Sequence, residues 1–166
     1  NRFIGNMHEF IIRPARPEDA QAISDVLKRS ITALCAADHL DDPDLIEGWI
    51  ADKTPEEIGG RIIAGTQMFV TESAGQIGAV GEFQSKGHID LLYVAPEAQG
   101  QGHSRALLAD MENRLRDCGA QVARLVSSKT AQSFYLKRGW EIEGTPVVCY
   151  TTDGQPMRKV LVPSKA

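Results

Sequence analysis

Leu91 to Leu108 reads L-L-Y-V-A-P-E-A-Q-G-Q-G-H-S-R-A-L-L. The apolar run Leu91, Leu92, Tyr93 and Val94 predicts a strand, which must stop at Pro96 because proline cannot donate to a sheet ladder. Gln99, Gly100, Gln101 and Gly102 then form a loop. Beyond it, Leu107, Leu108, Met111, Leu115 and Cys118 recur at helical spacing, and Gly119 is placed to cap that helix at its C-terminus. Strand, glycine loop and helix together make an anion site. The first helical turn has unpartnered N–H groups and the positive end of the helix dipole. Gly100 and Gly102 lack Cβ atoms, so phosphates can approach that backbone closely.

The details of the loop separate the phosphate-binding families. A P-loop ends in Gly-Lys-Ser/Thr, whereas Gly102 is followed by His103 and Ser104. A dinucleotide fingerprint needs a third glycine where Arg105 stands. The stretch instead resembles motif A of the GNAT superfamily of N-acetyltransferases, Gln/Arg-x-x-Gly-x-Gly/Ala after a strand ending Tyr-Val-x-Pro. Here the pattern falls on Gln99, Gly102 and Ser104, with Tyr93, Val94 and Pro96 before it and Arg105-Ala106-Leu107-Leu108 after it. Ser104 departs from the usual Gly or Ala but is also small.

A second stretch, Ser128 to Trp140, reads S-K-T-A-Q-S-F-Y-L-K-R-G-W. Ala131, Phe134 and Tyr135 share a helical face, and Gly139 ends the helix. It is similar to motif B of the same superfamily, Asn-x-x-Ala-x-x-Phe-Tyr-x-x-x-Gly-Phe, with Ser128 for the Asn and Trp140 for the Phe. Two motifs in the family's order, one helix and one strand apart, are far more specific than either alone.

The remaining segments fit around these two. Phe10 to Arg13 predicts a first strand, and Pro17-Glu18-Asp19 opens a helix with buried stripe Ile23, Val26, Leu27 and Ile31. Residues 43–64 predict one or two helices, starting at Pro43 and at a Thr54/Glu57 capping box, with Trp49 as a packing aromatic. In the family this region walls the acceptor. Met68 to Thr71 and Ile77 to Phe83 predict a hairpin around Ser73-Ala74-Gly75, and His88 to Val94 adds a third antiparallel strand. Val122 to Val126 is a further strand, which the family pattern places parallel to the one before the loop. Two last strands, Thr145 to Thr151 and Met157 to Leu161, are expected to turn at Asp153-Gly154. The fold class is therefore α/β (α+β). It has a mixed, mostly antiparallel central sheet of about six to seven strands flanked by helices.

Composition narrows the function classes. The chain has 166 residues, 42% hydrophobic and 24% charged, which suits one globular domain. We expect a single domain over 7–166, with residues 1–6 an added remnant or disordered tail ahead of Met7. A net charge of −4 argues against a dedicated nucleic-acid binder. No apolar run reaches membrane-spanning length. Cys35, Cys118 and Cys149 have neither metal-site spacing nor a disulfide pattern, which points to a reducing cytoplasm. His8 and His39 have no evident partners, and no metal site is expected.

The resemblance implies acetyl-CoA as co-substrate, an amine as acceptor, no metal, no nucleic-acid or membrane partner, and a homodimer of the kind common in the family. It assigns CoA binding to Leu92, Tyr93, Val94, Gln99, Gly100, Gln101, Gly102, His103, Ser104 and Arg105, joined by Ser128, Ala131 and Phe134. His103 would be an exposed loop residue able to meet phosphate. Tyr135 is the candidate acid for the departing thiolate, because a phenol stays protonated at neutral pH, while Phe134 beside it can fill the core. Glu82 and Asp90 are the candidate bases. His88 and Asp90 are expected on the same face as Leu92 by strand alternation. The expected activity is acetyl transfer to a small-molecule amine by direct attack. The alternatives are a non-catalytic acyl-CoA-binding or sensing domain, a peptide N-acetyltransferase, or a nucleotide-phosphate binder.

Overall fold

A computed structural model describes residues 8–149 and 151–162, so Asn1 to Asn6 and the expected start at Met7 lie outside the described residues. Strand β1 (Ile11–Pro14) leads into a short turn, Pro17–Asp19, and then helix α1 (Ala20–Leu34). The Asp19 carboxylate accepts the Arg16 N–H at 2.7 Å and clamps Arg13 through two bonds of 2.8 and 3.0 Å. One buried acid therefore both closes the turn that precedes α1 and ties it to β1.

A short helix α2 (Ala36–His39), which the sequence did not announce, follows and ends at Leu40 in the left-handed region. The two expected helices are α3 (Pro43–Ile50) and α4 (Pro55–Ile63). Asp42 accepts the Asp44 N–H at 2.9 Å and the Thr54 hydroxyl accepts the Glu57 N–H at 3.1 Å, each satisfying a donor of the first turn.

The meander is β2 (Gln67–Ser73), β3 (Gln76–Gln84) and β4 (His88–Val94). Ala74 and Gly75 both have positive φ, as a tight two-residue hairpin turn requires. The glycine loop opens α5 (His103–Asp117), and β5 (Val122–Ser127), α6 (Gln132–Leu136), β6 (Glu141–Ile142), β7 (Val147–Cys149) and β8 (Thr152–Val160) complete the chain.

The strands form one eight-stranded sheet in the order β1-β2-β3-β4-β5-β8-β6, with β7 also on β8. The β4–β5 pair is parallel and the other ladders are antiparallel, so α5 is the crossover. The two-residue β6 takes the sheet beyond the expected strand count. The C-terminal turn also differs from expectation. Asp153 and Gly154 lie inside β8, paired with Val148 and Val147, and Cys149 pairs with Thr152; Tyr150, within the expected strand, is outside the described residues. Pairing with β7 draws Asp-Gly into the strand that continues along β5 from Gln155, against its turn preference.

Each face of the sheet is covered. Ile23, Val26 and Leu27 of α1 and Ile58 of α4 pack on Met68, Val70, Val80 and Leu91. On the other face, Leu107, Leu108, Met111 and Leu115 of α5 pack on Phe69, Phe83 and Ile89, together with Tyr135 and Trp140. Among the described residues, no helix is long and apolar enough to cross a membrane.

Candidate active site

The parallel pair at the centre of the sheet makes the site. Its only paired residues are His88 and Arg124, where the Arg124 N–H also donates to Gly87 at 2.8 Å. Beyond that point no residue of β4 pairs with β5, and the strands part. Leu91 to Tyr93 and Leu125 to Ser128 become the walls of an open seam. The β5-facing edge of β4 is thereby left without ladder bonds, which lets an extended ligand pair with it.

At the upper end of the seam stands the glycine loop. Gly100 and Gly102 have φ of 79° and 92°, a conformation that L side chains resist, and Gly102 is the N-cap of α5. The N–H groups of Gly100, Gly102, Ser104 and Arg105 donate to no carbonyl among the described residues. They border a cleft of about 370 Å³ shared with Leu92, Val94, Gln99, Ala131 and Phe134. Free amides at a helix start have the chemistry to hold an anion.

Two loop residues are placed differently from the expectation. His103 is not exposed: it is 1% accessible, stacks on Phe10 at 4.0 Å, and is hydrogen-bonded through Nδ1 to the Thr71 hydroxyl at 2.6 Å. Its ring anchors α5 to the sheet, while the residue still borders the cleft. Gln101 folds back, its amide donating to the Glu97 carbonyl at 3.1 Å, and it does not line the cleft.

The lower wall comes from motif B. The Ser128 hydroxyl accepts the Ala131 N–H at 3.2 Å, the part that an Asn side chain would otherwise play at a helix start. Asp38 of α2 accepts the N–H groups of Lys129 and Thr130 at 2.6 and 3.1 Å and the Thr130 hydroxyl at 2.6 Å. No sequence signal pointed to Asp38, whose partners lie some ninety positions away.

α6 carries Tyr135 into the seam. Its ring packs edge-on against Trp140 at 5.7 Å, and Trp140 donates through Nε1 to Glu112 at 3.1 Å, while Lys159 holds the other Glu112 oxygen at 2.8 Å. Tyr135 is 6% accessible, and burial pushes its hydroxyl above the ordinary phenol range. Among the described residues that hydroxyl has no hydrogen-bond partner. Contrary to expectation, Phe134 is the half-buried neighbour and Tyr135 the buried one; Phe134 stacks under the Arg138 guanidinium at 3.9 Å.

A second cleft, of about 410 Å³, opens on the opposite side of Tyr135. Trp49, Arg61, Gln84, His88, Asp90, Tyr93 and Asp153 line it, and it shares Leu92, Tyr93, Ser128, Ala131 and Tyr135 with the first. Trp49 donates to the Tyr93 hydroxyl at 3.2 Å, so this aromatic packs and borders the cleft at once.

Strand alternation fails here. The partners of Glu82 and Phe83 are Leu91 and Ile89, leaving Asp90 bulged out of the ladder. Ile89 therefore packs under α5 while Leu91 packs under α1 and α4, and Leu92 returns to the α5 side. His88 and Asp90 do share a face, being joined at 2.8 Å, but not the face of Leu92.

The two candidate bases sit in different surroundings. Glu82 is 2% accessible and paired with Arg61 of α4. Burial raises its carboxyl above the usual range, Arg61 only partly opposing this, and Glu82 does not line the cleft. Burial would raise Asp90 too, but the hydrogen bonds from His88 and Gln84 outweigh it and hold its carboxyl below the usual range. Cys35, which borders the upper cleft, has its thiol pushed up to about 12 by burial and stays protonated. No cluster of metal-ligating side chains occurs among the described residues.

Comparison with known families agrees with this geometry. Residues 36–161 match the acetyltransferase (GNAT) domain. The chain belongs to the GNAT acetyltransferases. No curated protein matches it significantly. Among solved structures it is similar to a GCN5-related N-acetyltransferase of Rhodopseudomonas palustris, at 24% identity and a TM-score of 0.82 over 91% of this chain and 95% of that one. The PaiA N-acetyltransferase of Thermoplasma acidophilum, in complex with coenzyme A, gives 21% identity and 0.79 over 92% and 99%. YncA of Salmonella typhimurium, with its cofactor acetyl-CoA, gives 23% and 0.64 over 95% and 97%. At these identities the structural likeness speaks for the GNAT fold.

Proposed function

We propose that the protein is an N-acetyltransferase that moves the acetyl group of acetyl-CoA to the amine of a small-molecule acceptor by direct attack. The observation that carries this reading is the meeting of two clefts at Tyr135, one ending on a glycine-loop anion cradle and the other closed by polar side chains. The free amides of the loop suit a pyrophosphate, and the edge of β4 at Leu92 and Val94, which β5 does not pair, suits the amide-bearing arm of CoA. Gln99, Ser104 and Arg105 border the anion, and Ala131 and Phe134 flank the arm.

Acetyl transfer from a thioester needs positioning, a neutral amine and a proton for the leaving sulfur. The Tyr135 hydroxyl, protonated and unpartnered where the clefts join, is the donor to the thiolate. A cleft of about 410 Å³ is at the scale of a small-molecule acceptor.

The test is a coupled-thiol assay across small amines, aminoglycosides and peptide N-termini, run with Tyr135→Phe alongside. We expect turnover of small amines. Tyr135→Phe should lower kcat by about 10²-fold with the acetyl-CoA Kd, measured by titration calorimetry, within about twofold. Turnover of peptides alone would replace the acceptor class. Tight acetyl-CoA binding without turnover of any amine would make the protein a binder or sensor.

A further inference from the structure

The acceptor cleft contains a hydrogen-bonded chain that the reading above does not use. His88 Nδ1 is 2.8 Å from Asp90 Oδ1, and Gln84 Nε2 donates to Asp90 Oδ2 at 2.9 Å. Both carboxylate oxygens are thus committed, and Glu82 is tied to Arg61 outside the cleft wall. Against burial, the bonds to Asp90 hold it ionised with its carboxyl below the usual range, which makes it a weak proton acceptor, and Glu82 does not line the cleft.

We infer that His88 Nε2 takes the proton from the acceptor amine, with Asp90 and Gln84 as positioning residues; the inference rests on the transferase reading above. An ionised carboxylate only accepts, so Asp90 requires the proton of a neutral imidazole on Nδ1 and leaves the lone pair on Nε2. That nitrogen has no partner among the described residues, and the side chain is 44% accessible on the wall of the cleft that also holds Tyr135. The bulge at Asp90 is what creates the pair: it takes Asp90 out of the ladder and leaves both side chains on the acceptor side.

The charges around His88 favour this role. Arg61 from α4 is paired with Glu82 of β3, and Arg124 from β5 is paired with Glu143 at 3.0 Å, so each nearby cation has its own carboxylate. Asp153 of β8 lies on the cleft wall. The hydrogen bond that His88 donates to Asp90 raises the proton affinity of the imidazole above its ordinary value, which makes it a stronger proton acceptor.

The steps balance. The arriving ammonium gives one proton to Nε2, directly or through water. The freed lone pair forms the C–N bond to the acetyl carbon as the C–S bond breaks. The sulfur takes the Tyr135 proton, and the surplus proton on the new amide nitrogen restores the phenol. His88, partly open to solvent, then releases its proton to water.

The experiment uses the full chain, acetyl-CoA, and a fixed panel of ethanolamine, tyramine, glycine ethyl ester and spermidine, with kcat/KM followed against pH. His88→Gln should lose about 10²-fold at neutral pH and recover as the amine deprotonates by itself at high pH, with the acetyl-CoA Kd unchanged. Asp90→Asn should lose less and move the acid limb to lower pH, because it removes the group that raises His88. Two-bond ¹H–¹⁵N spectra of the wild type should show the Nδ1–H tautomer for His88. Full activity of His88→Gln with the wild-type acid limb, or an Nε2–H tautomer, would overturn the inference. Should His88→Gln fail to bind acetyl-CoA, the Asp90→Asn profile and the tautomer decide. If the wild type binds acetyl-CoA yet acetylates no amine in the panel, the transferase reading falls first and this inference with it.

Discussion

Gly78→Ala tests whether the anion cradle is held in place from inside the sheet. A Cβ on Gly78 would sit well inside van der Waals contact of His103 Nδ1 and Cε1, and 3.1 Å from the Thr71 hydroxyl. The imidazole cannot swing away cheaply: it is 1% accessible, stacked on Phe10, and bonded to Thr71 at 2.6 Å. Overpacking of this kind costs about 1–3 kcal/mol. Breaking the buried Thr71–His103 bond adds about 1–3 kcal/mol for the groups left unpaired. We expect a loss of about 3 kcal/mol, read as a lower midpoint in urea unfolding. In a chain of this size that corresponds to about 6–12 °C in melting temperature. Because His103 is the first residue of α5, the displacement reaches the loop amides, and the acetyl-CoA Kd should rise as well. The double variant Gly78→Ala/His103→Ala should cost less than the sum of the two single changes, since the second removes what the first collides with. A Gly78→Ala protein within about 0.5 kcal/mol of wild type, the scatter of ordinary surface changes, would refute the anchoring role of His103.

Further outcomes follow from the same contacts. Glu112→Ala leaves the Trp140 indole N–H and the Lys159 ammonium without their shared acceptor, and should cost roughly 2–4 kcal/mol in denaturant unfolding, with Tyr135 losing its fixed neighbour. The Arg13 hydrogen bond, aided by the Arg16 N–H and outweighing burial, holds the Asp19 carboxyl below its ordinary value. Its stabilisation is therefore complete above the unfolded aspartate pKa of about 4 and drains away as pH falls through the depressed folded value. Asp19→Asn should flatten that part of the acid-unfolding profile; an unchanged profile would refute the assignment.

The GNAT fold was legible because its decisive signals are local. Pro96, Gly100, Gly102 and the stripe from Leu107 to Leu115 specify strand, loop and helix within one stretch, and Ala131 to Gly139 does the same for α6. Gly100 and Gly102 adopt the positive φ that glycine makes cheap, and the loop amides are free as a helix start requires. Where propensity met a ladder, it lost: Asp153-Gly154 reads as a turn but is pulled into β8 by its partners Val148 and Val147 of β7.

The candidate acceptor site was much less legible, since long-range pairing sets it. A period-two reading puts His88, Asp90 and Leu92 on one face, and one bulged residue is enough to separate them. His103 reads as a loop residue, yet the empty space above Gly78 draws its ring into the sheet. Asp38 bonds to Lys129 and Thr130 through a contact that no local pattern encodes. The sequence by itself determined most of the elements, their order and the glycine loop at the start of α5, because hydrophobic period and backbone conformation act over a few residues. Only the tertiary structure decided which side chains line the second cleft, because that depends on ladder register and on where β4 and β5 part.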